Sequence, residues 1–151
     1  MNAQEFRSNL LIKRPRHAKS RISLFETLAN KGNINSDYSQ FGPYYELYVY
    51  AFTLGLKMNL KLDLPDRKQT QDFGNGLGDW KRGSGLVDFL LMVVFSRADE
   101  IGFVWNELED MEEKELNEVI SNVISFIESY ANGGLKYLDD LRVENKLDNT
   151  H

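Results

Sequence analysis

The residues best equipped for chemistry are cations. Lys13, Arg14, Arg16, Lys19 and Arg21 fall within nine positions of one another, with no acid between them. Lys57, Lys61, Arg67 and Lys68 form a second group. Lys and Arg at this density neutralise phosphates and release counterions, so the pattern fits a nucleic-acid backbone. Tyr44, Tyr45 and Tyr48 would add base stacking if exposed. The KRPR run at 13–16 has the form of a nuclear-localisation or nucleic-acid patch, and equally of a plain solvated arm. The candidate nucleic-acid-binding residues are Lys13, Arg14, Arg16, Lys19, Arg21, Lys57, Arg67 and Lys68.

Catalytic constellations are harder to assemble. The chain has no cysteine, which removes disulfides, thiolate metal sites and cysteine nucleophiles. Its two histidines, His17 and His151, stand near the ends, so neither a multi-histidine metal site nor an orienter-held base is expected. The stretch from Gly78 to Gly85 has the outer spacing of a P-loop. It lacks the Lys after the last glycine that would reach a β- or γ-phosphate. Gly74, Gly76 and Gly78 do not make a dinucleotide fingerprint, with no parallel strand before them. Acids are dense between Asp99 and Glu118, but most share one helical face, which reads as a solvated acidic surface rather than a convergent pair. Asp139 and Asp140 are neighbours on a helix and point apart. No enzymatic activity, no cofactor and no metal are expected. A small nucleic-acid-directed enzyme or toxin centred on Asp79 and Lys81 of the glycine loop is the third-ranked alternative.

The elements that must carry these residues follow from periodicity. The segment 43–57, PYYELYVYAFTLGLK, is apolar nearly all round, as a central buried helix is. Pro43 suits its first position and Glu46 its first turn. A short amphipathic helix is expected over 22–30, stopped by Lys31-Gly32-Asn33, with Tyr38 and Phe41 folding back from the loop that follows. Residues 59–64 alternate polar and apolar and suit a short strand or hairpin. Five of the eleven glycines fall between Gly74 and Gly85, in a loop pinned by Phe73 and Trp80. A second apolar helix covers Leu86–Phe95, with Ser84 or Gly85 as its cap and Asp88 meeting its first N–H groups. Phe103, Val104 and Trp105 anchor the connector that follows. A capping box from Asp110 to Glu113 opens a long helix over 112–131, which Asn132-Gly133-Gly134 stops. Leu135, Tyr137, Leu138 and Leu141 form a short last helix.

The expected fold is therefore all-α: a compact bundle of about five helices around a central buried helix, with room for one short strand or hairpin. The expected organisation is a weakly structured basic arm over 1–21, one helical domain over 22–142 and a frayed tail over 143–151. The net charge of −5 conceals an asymmetry. Residues 1–68 carry eleven Lys/Arg against six Asp/Glu, and the remainder carries seven against seventeen. Such polarity orients a protein on a polyanion or a second subunit, or marks two solvated faces. The N-terminal sequence has no apolar core of signal-peptide length, and the longest apolar run is about half of a membrane span, so a cytoplasmic protein without membrane contact is expected. The apolar supply is compatible with a homodimer that buries part of the helix bearing Leu116.

Three stretches carry a family resemblance. They are Ala51-Phe-Thr-Leu-Gly-Leu-Lys57 with the extended segment that follows it to Leu64-Pro65, the helix over 86–94, and residues 126–138, where Tyr130-Ala131-Asn132-Gly133-Gly134-Leu135 is the most specific. In this order the chain is similar to the small proteins associated with the Dnd systems of DNA phosphorothioation in prokaryotes. The resemblance spans roughly residues 25–140, and the glycine-rich loop and basic arm depart from it. It implies a non-enzymatic accessory, adaptor or regulatory protein of a DNA-modification or restriction defence system. It implies contact with a larger protein of that system, with DNA as a further partner. A nucleic-acid-binding regulator that uses the basic arm is the alternative.

Overall fold

The computed structural model describes residues 3–29, 43–80 and 84–144. It is predominantly helical, as its residue pattern requires: α1 (Ala3–Leu11), α2 (Ile22–Leu28), α3 (Tyr44–Lys57), α4 (Leu86–Phe95), α5 (Ala98–Ile101) and α6 (Glu113–Val143). One antiparallel pair joins β1 (His17–Ala18) to β2 (Thr70–Gln71), in the register His17 with Gln71 and Ala18 with Thr70. The expected strand element therefore exists, but not at 59–64. That segment is extended without a ladder; its Leu62 N–H is given to the Ser129 carbonyl on α6. The predicted stop at Lys31-Gly32-Asn33 and the positions of Tyr38 and Phe41 lie outside the described residues, as do Lys81 and the tail beyond Glu144.

The chain divides into two compact units, Met1–Pro15 with Gly74–Ile127, and Arg16–Phe73 with Glu128–His151. Residues 3–15 include a packed helix. Phe6 and Leu10, four apart on α1, are both buried in the first unit, and Pro15 ends the segment only after the helix has closed. The glycine loop is packed onto the end of α1. Leu77 N–H donates to the Lys13 carbonyl at 3.0 Å, and a Cβ on Gly76 would lie 2.9 Å from the carbonyl oxygens of Leu11 and Ile12. Trp80 is buried, as its role as a pin requires. Helix α4 runs over the expected residues. Ser84 Oγ accepts from Leu86 N–H at 3.3 Å, while Asp88 accepts from Arg7 at 2.6 Å.

In the second unit α3 is the buried helix that its sequence describes. Leu47, Tyr48, Ala51 and Phe52 have no exposed surface. Helix α6, assigned by its first half to one unit and by its second to the other, does not stop at Asn132-Gly133-Gly134. It continues for 31 residues. The glycines answer a steric demand instead. A Cβ on Gly134 would collide with the Ala51 carbonyl, one on Gly133 with the Leu60 carbonyl, and one on Gly55 with the Tyr130 carbonyl. Glycine in a helix costs about 1 kcal/mol relative to alanine. Here that cost is offset by a backbone approach between α3 and α6 that no side chain would allow.

Candidate functional site

Two of the eight candidate cations are occupied inside the second unit. Arg16 donates through Nε to Thr70 Oγ1 at 2.7 Å and through Nη2 to the Thr70 carbonyl at 3.0 Å, and its Nη1 lies 3.6 Å from Asp72. Arg21 donates to Asp139 Oδ2 at 2.7 Å. Within the unit both bond to neighbouring segments, Arg16 to the strand pair and Arg21 to α6. Lys13 and Arg14 are exposed in the first unit, and Lys19, Lys57, Arg67 and Lys68 are exposed in the second. Tyr48 is core rather than a stacking platform. Its hydroxyl donates to the Arg16 carbonyl at 2.9 Å.

Around this point the second unit gathers its buried ionisable groups. The Arg16 N–H donates to Glu128 Oε2 at 2.8 Å. Burial pushes the Glu128 carboxyl above its ordinary range, against the opposing pull of that N–H and of the Arg16 and Arg67 charges. Burial likewise raises the Tyr48 hydroxyl well above its usual value, and the Glu128 charge adds to the effect. His17 is 1 % exposed, with ring centroids 4.7 Å from Phe25 and 5.0 Å from Phe73. Burial lowers its pKa despite the bond to the Ala18 carbonyl. Asp139 differs. Burial acts upward on it, but the hydrogen bonds from Arg142 and Arg21 together hold it below the ordinary value. Every one of these groups is engaged in holding β1, β2, α3 and the end of α6 in place. Among the described residues no group of three or more His, Cys, Asp or Glu is arranged to hold a metal ion.

Of the segments that carry the family resemblance, 51–57 and most of 126–138 meet in this unit, while the helix over 86–94 belongs to the first unit. Tyr130, Ala131 and Leu135 are buried, and the two glycines press on Leu60 and Ala51. Asn132 Nδ2 donates to the Leu62 and Asp63 carbonyls at 3.3 and 3.0 Å and clamps the extended segment onto α6. Each residue from Tyr130 to Leu135 thus serves packing, and the stretch 51–57 supplies the facing surface.

The first unit carries a strongly apolar opening. A cavity of about 320 Å³ is lined by Phe6, Phe95, Trp105, Leu108 and Leu116, with Arg7 and Glu109 at its edge. Phe95 and Trp105 meet edge to face at 4.7 Å, and Phe103 backs Trp105 at 5.4 Å. Trp105 and Val104 are 46 % and 53 % exposed, although the sequence casts them as a buried anchor. Of that trio only Phe103 is buried. On α4, Phe89 and Met92 are 43 % and 64 % exposed. Sequence reading missed this site because amphipathic spacing reveals which residues are apolar, not which of them long-range packing leaves uncovered. The only local signal was the density of aromatics around Phe103 and Trp105.

Comparison with family models, with curated proteins and with solved structures gives no match for this chain. No described helix is long and apolar enough to cross a membrane.

Proposed function

We propose that this protein is a non-enzymatic adaptor or regulatory component of a cytoplasmic DNA-modification or restriction system of the phosphorothioation type, and that it binds a larger partner protein through the apolar face of its first unit. The observation that carries the protein-binding part is the half-exposed Trp105 at the mouth of an aromatic cavity, with Val104, Phe89 and Met92 in the open. Contiguous exposed apolar surface edged by polar residues marks interaction sites. The place beside a DNA-modification system is supported by the order of the segments 51–57, 86–94 and 126–138 alone. Deletion of the protein from a host carrying such a system should abolish the modification or restriction phenotype. The wild-type chain should restore it, and a folded Trp105→Lys variant should not. Full restoration by Trp105→Lys would sink the proposal.

A second reading, direct contact with nucleic acid, draws on the six exposed candidate cations. Binding of the chain to a DNA duplex, with and without phosphorothioate linkages, followed by fluorescence anisotropy, should then fall steeply with salt. It should weaken in Lys13→Ala/Arg14→Ala or in Lys57→Ala/Arg67→Ala/Lys68→Ala. Absence of binding at low salt would remove this reading.

A further inference from the structure

The apolar face is set in a strongly acidic stretch. Over residues 97–118 nine Asp/Glu stand against Arg97 and Lys114, and all nine are exposed. The same chain segment builds most of the cavity. Trp105, Leu108, Glu109 and Leu116 line it, so Glu107, Asp110, Glu112 and Glu113 lie within a few residues of its mouth. The one cation on the lining, Arg7, is offset by Asp88 at 2.6 Å. The apolar strip also continues along α4, where Met92 stands one turn before the lining residue Phe95. A volume of about 320 Å³ is at the lower bound for small-molecule pockets, roughly 300–1,000 Å³. It suits one or two large side chains delivered by a chain that also covers the surrounding rim.

We infer that the cavity receives an aromatic or large aliphatic anchor from a basic segment of the partner protein, whose Lys and Arg residues face the acids of 107–113. The inference rests on the protein-binding reading above and specifies the partner's chemistry. The anchor supplies the buried apolar contact, and the charges supply steering and selection against acidic chains. A segment with an apolar anchor but acidic flanks would meet like charges on this rim and be rejected.

The test is selection of a random 16-residue peptide display library on the full chain, followed by measurement of the enriched peptides. Enriched sequences should combine a Trp, Phe or Leu anchor with several Lys or Arg within one or two turns. Their affinity should fall at least about tenfold on Trp105→Lys, the scale of a lost hot-spot contact. It should fall severalfold on Glu109→Gln/Glu112→Gln/Glu113→Gln, and with rising salt. Those three acids are exposed, so this second variant probes the charge without disturbing packing. Enriched peptides that are neutral or acidic, yet still lost on Trp105→Lys, would overturn the basic-segment inference while leaving the adaptor reading standing. Enrichment indifferent to Trp105, or no enrichment, would overturn both. A dimer seen by light scattering that Trp105→Lys disperses would make a second copy of the chain the occupant, and would overturn the inference as well.

Discussion

Asp139 accepts hydrogen bonds from two guanidinium groups, Arg21 at 2.7 Å and Arg142 at 2.7 and 3.0 Å. Bonds to charged groups contribute about 1.5–3 kcal/mol. Asp139→Asn should lower the unfolding free energy by about 2 kcal/mol at neutral pH, measured by urea denaturation. Because the folded pKa lies below the ordinary 3.8, the Asp139 contribution is present above that value and is lost as pH falls through the folded one. His17 and Glu128 act on opposite sides. The lowered folded pKa of His17 means that below pH 6.5 the unfolded chain takes up a proton that the folded chain refuses. Stability therefore declines on acidification, by at most about 1.4 kcal/mol per pH unit for one group. Glu128, raised above 4.5, binds its proton first in the folded chain and partly compensates in its own window. Urea midpoints at pH 7.0 and 5.5 should show a fall in the wild type and a flatter response in His17→Phe. An unchanged response in His17→Phe would contradict this assignment. None of these roles could be read from the basic run. The spacing of Arg14, Arg16, Lys19 and Arg21 shows cations, and only the remote Thr70, Asp72 and Asp139 decide which of them are bound within the fold.

At the scale of elements, α2, α3 and α4 were legible because periodicity and local breakers suffice for them. Helix α6 was misread at Asn132-Gly133-Gly134. Two adjacent glycines signal a stop when only the local chain is considered, and the surface that requires them, Ala51 and Leu60, lies some eighty residues away in sequence. Helix α1 was hidden for a similar reason. Its Phe6 and Leu10 are too few to announce an amphipathic helix, and packing partners such as Phe95 are distant. The strand pair joins segments more than fifty residues apart, beyond any hairpin signal. The two explanations of the glycines make opposite predictions. At an open helical position Gly134→Ala would stabilise by about 1 kcal/mol. Packed against the Ala51 carbonyl, it should destabilise by about 3 kcal/mol or more, since backbone has little freedom to move aside. Asn132→Ala should cost about 1–3 kcal/mol by releasing the Leu62 and Asp63 carbonyls. Thermal unfolding of both variants separates a steric seam from a helix stop.

For the whole molecule, the apolar supply that suggested a homodimer is accounted for within the chain over much of α6. Leu116, Val119, Ile120 and Val123 are all buried. Apolar surface that is still open includes Phe89 and Met92 on α4 and the Val104–Trp105 corner, where on the inference above the acidic surroundings would select the partner. The chemical division is then one of labour. The second unit uses its ionisable groups and glycines to hold its own fold, and on the proposed reading the first unit offers its aromatic cavity to another protein. The most direct test of that division is co-purification from a host carrying a phosphorothioation-type system, comparing wild-type chain with Trp105→Lys and with the charge variant Arg14→Ala, and identifying the proteins retained. The expected result is one large component of the modification or restriction machinery, held by wild type and Arg14→Ala and lost from Trp105→Lys. Retention of that component by Trp105→Lys, or its absence from the wild-type sample, would contradict the assignment of this face as the docking surface.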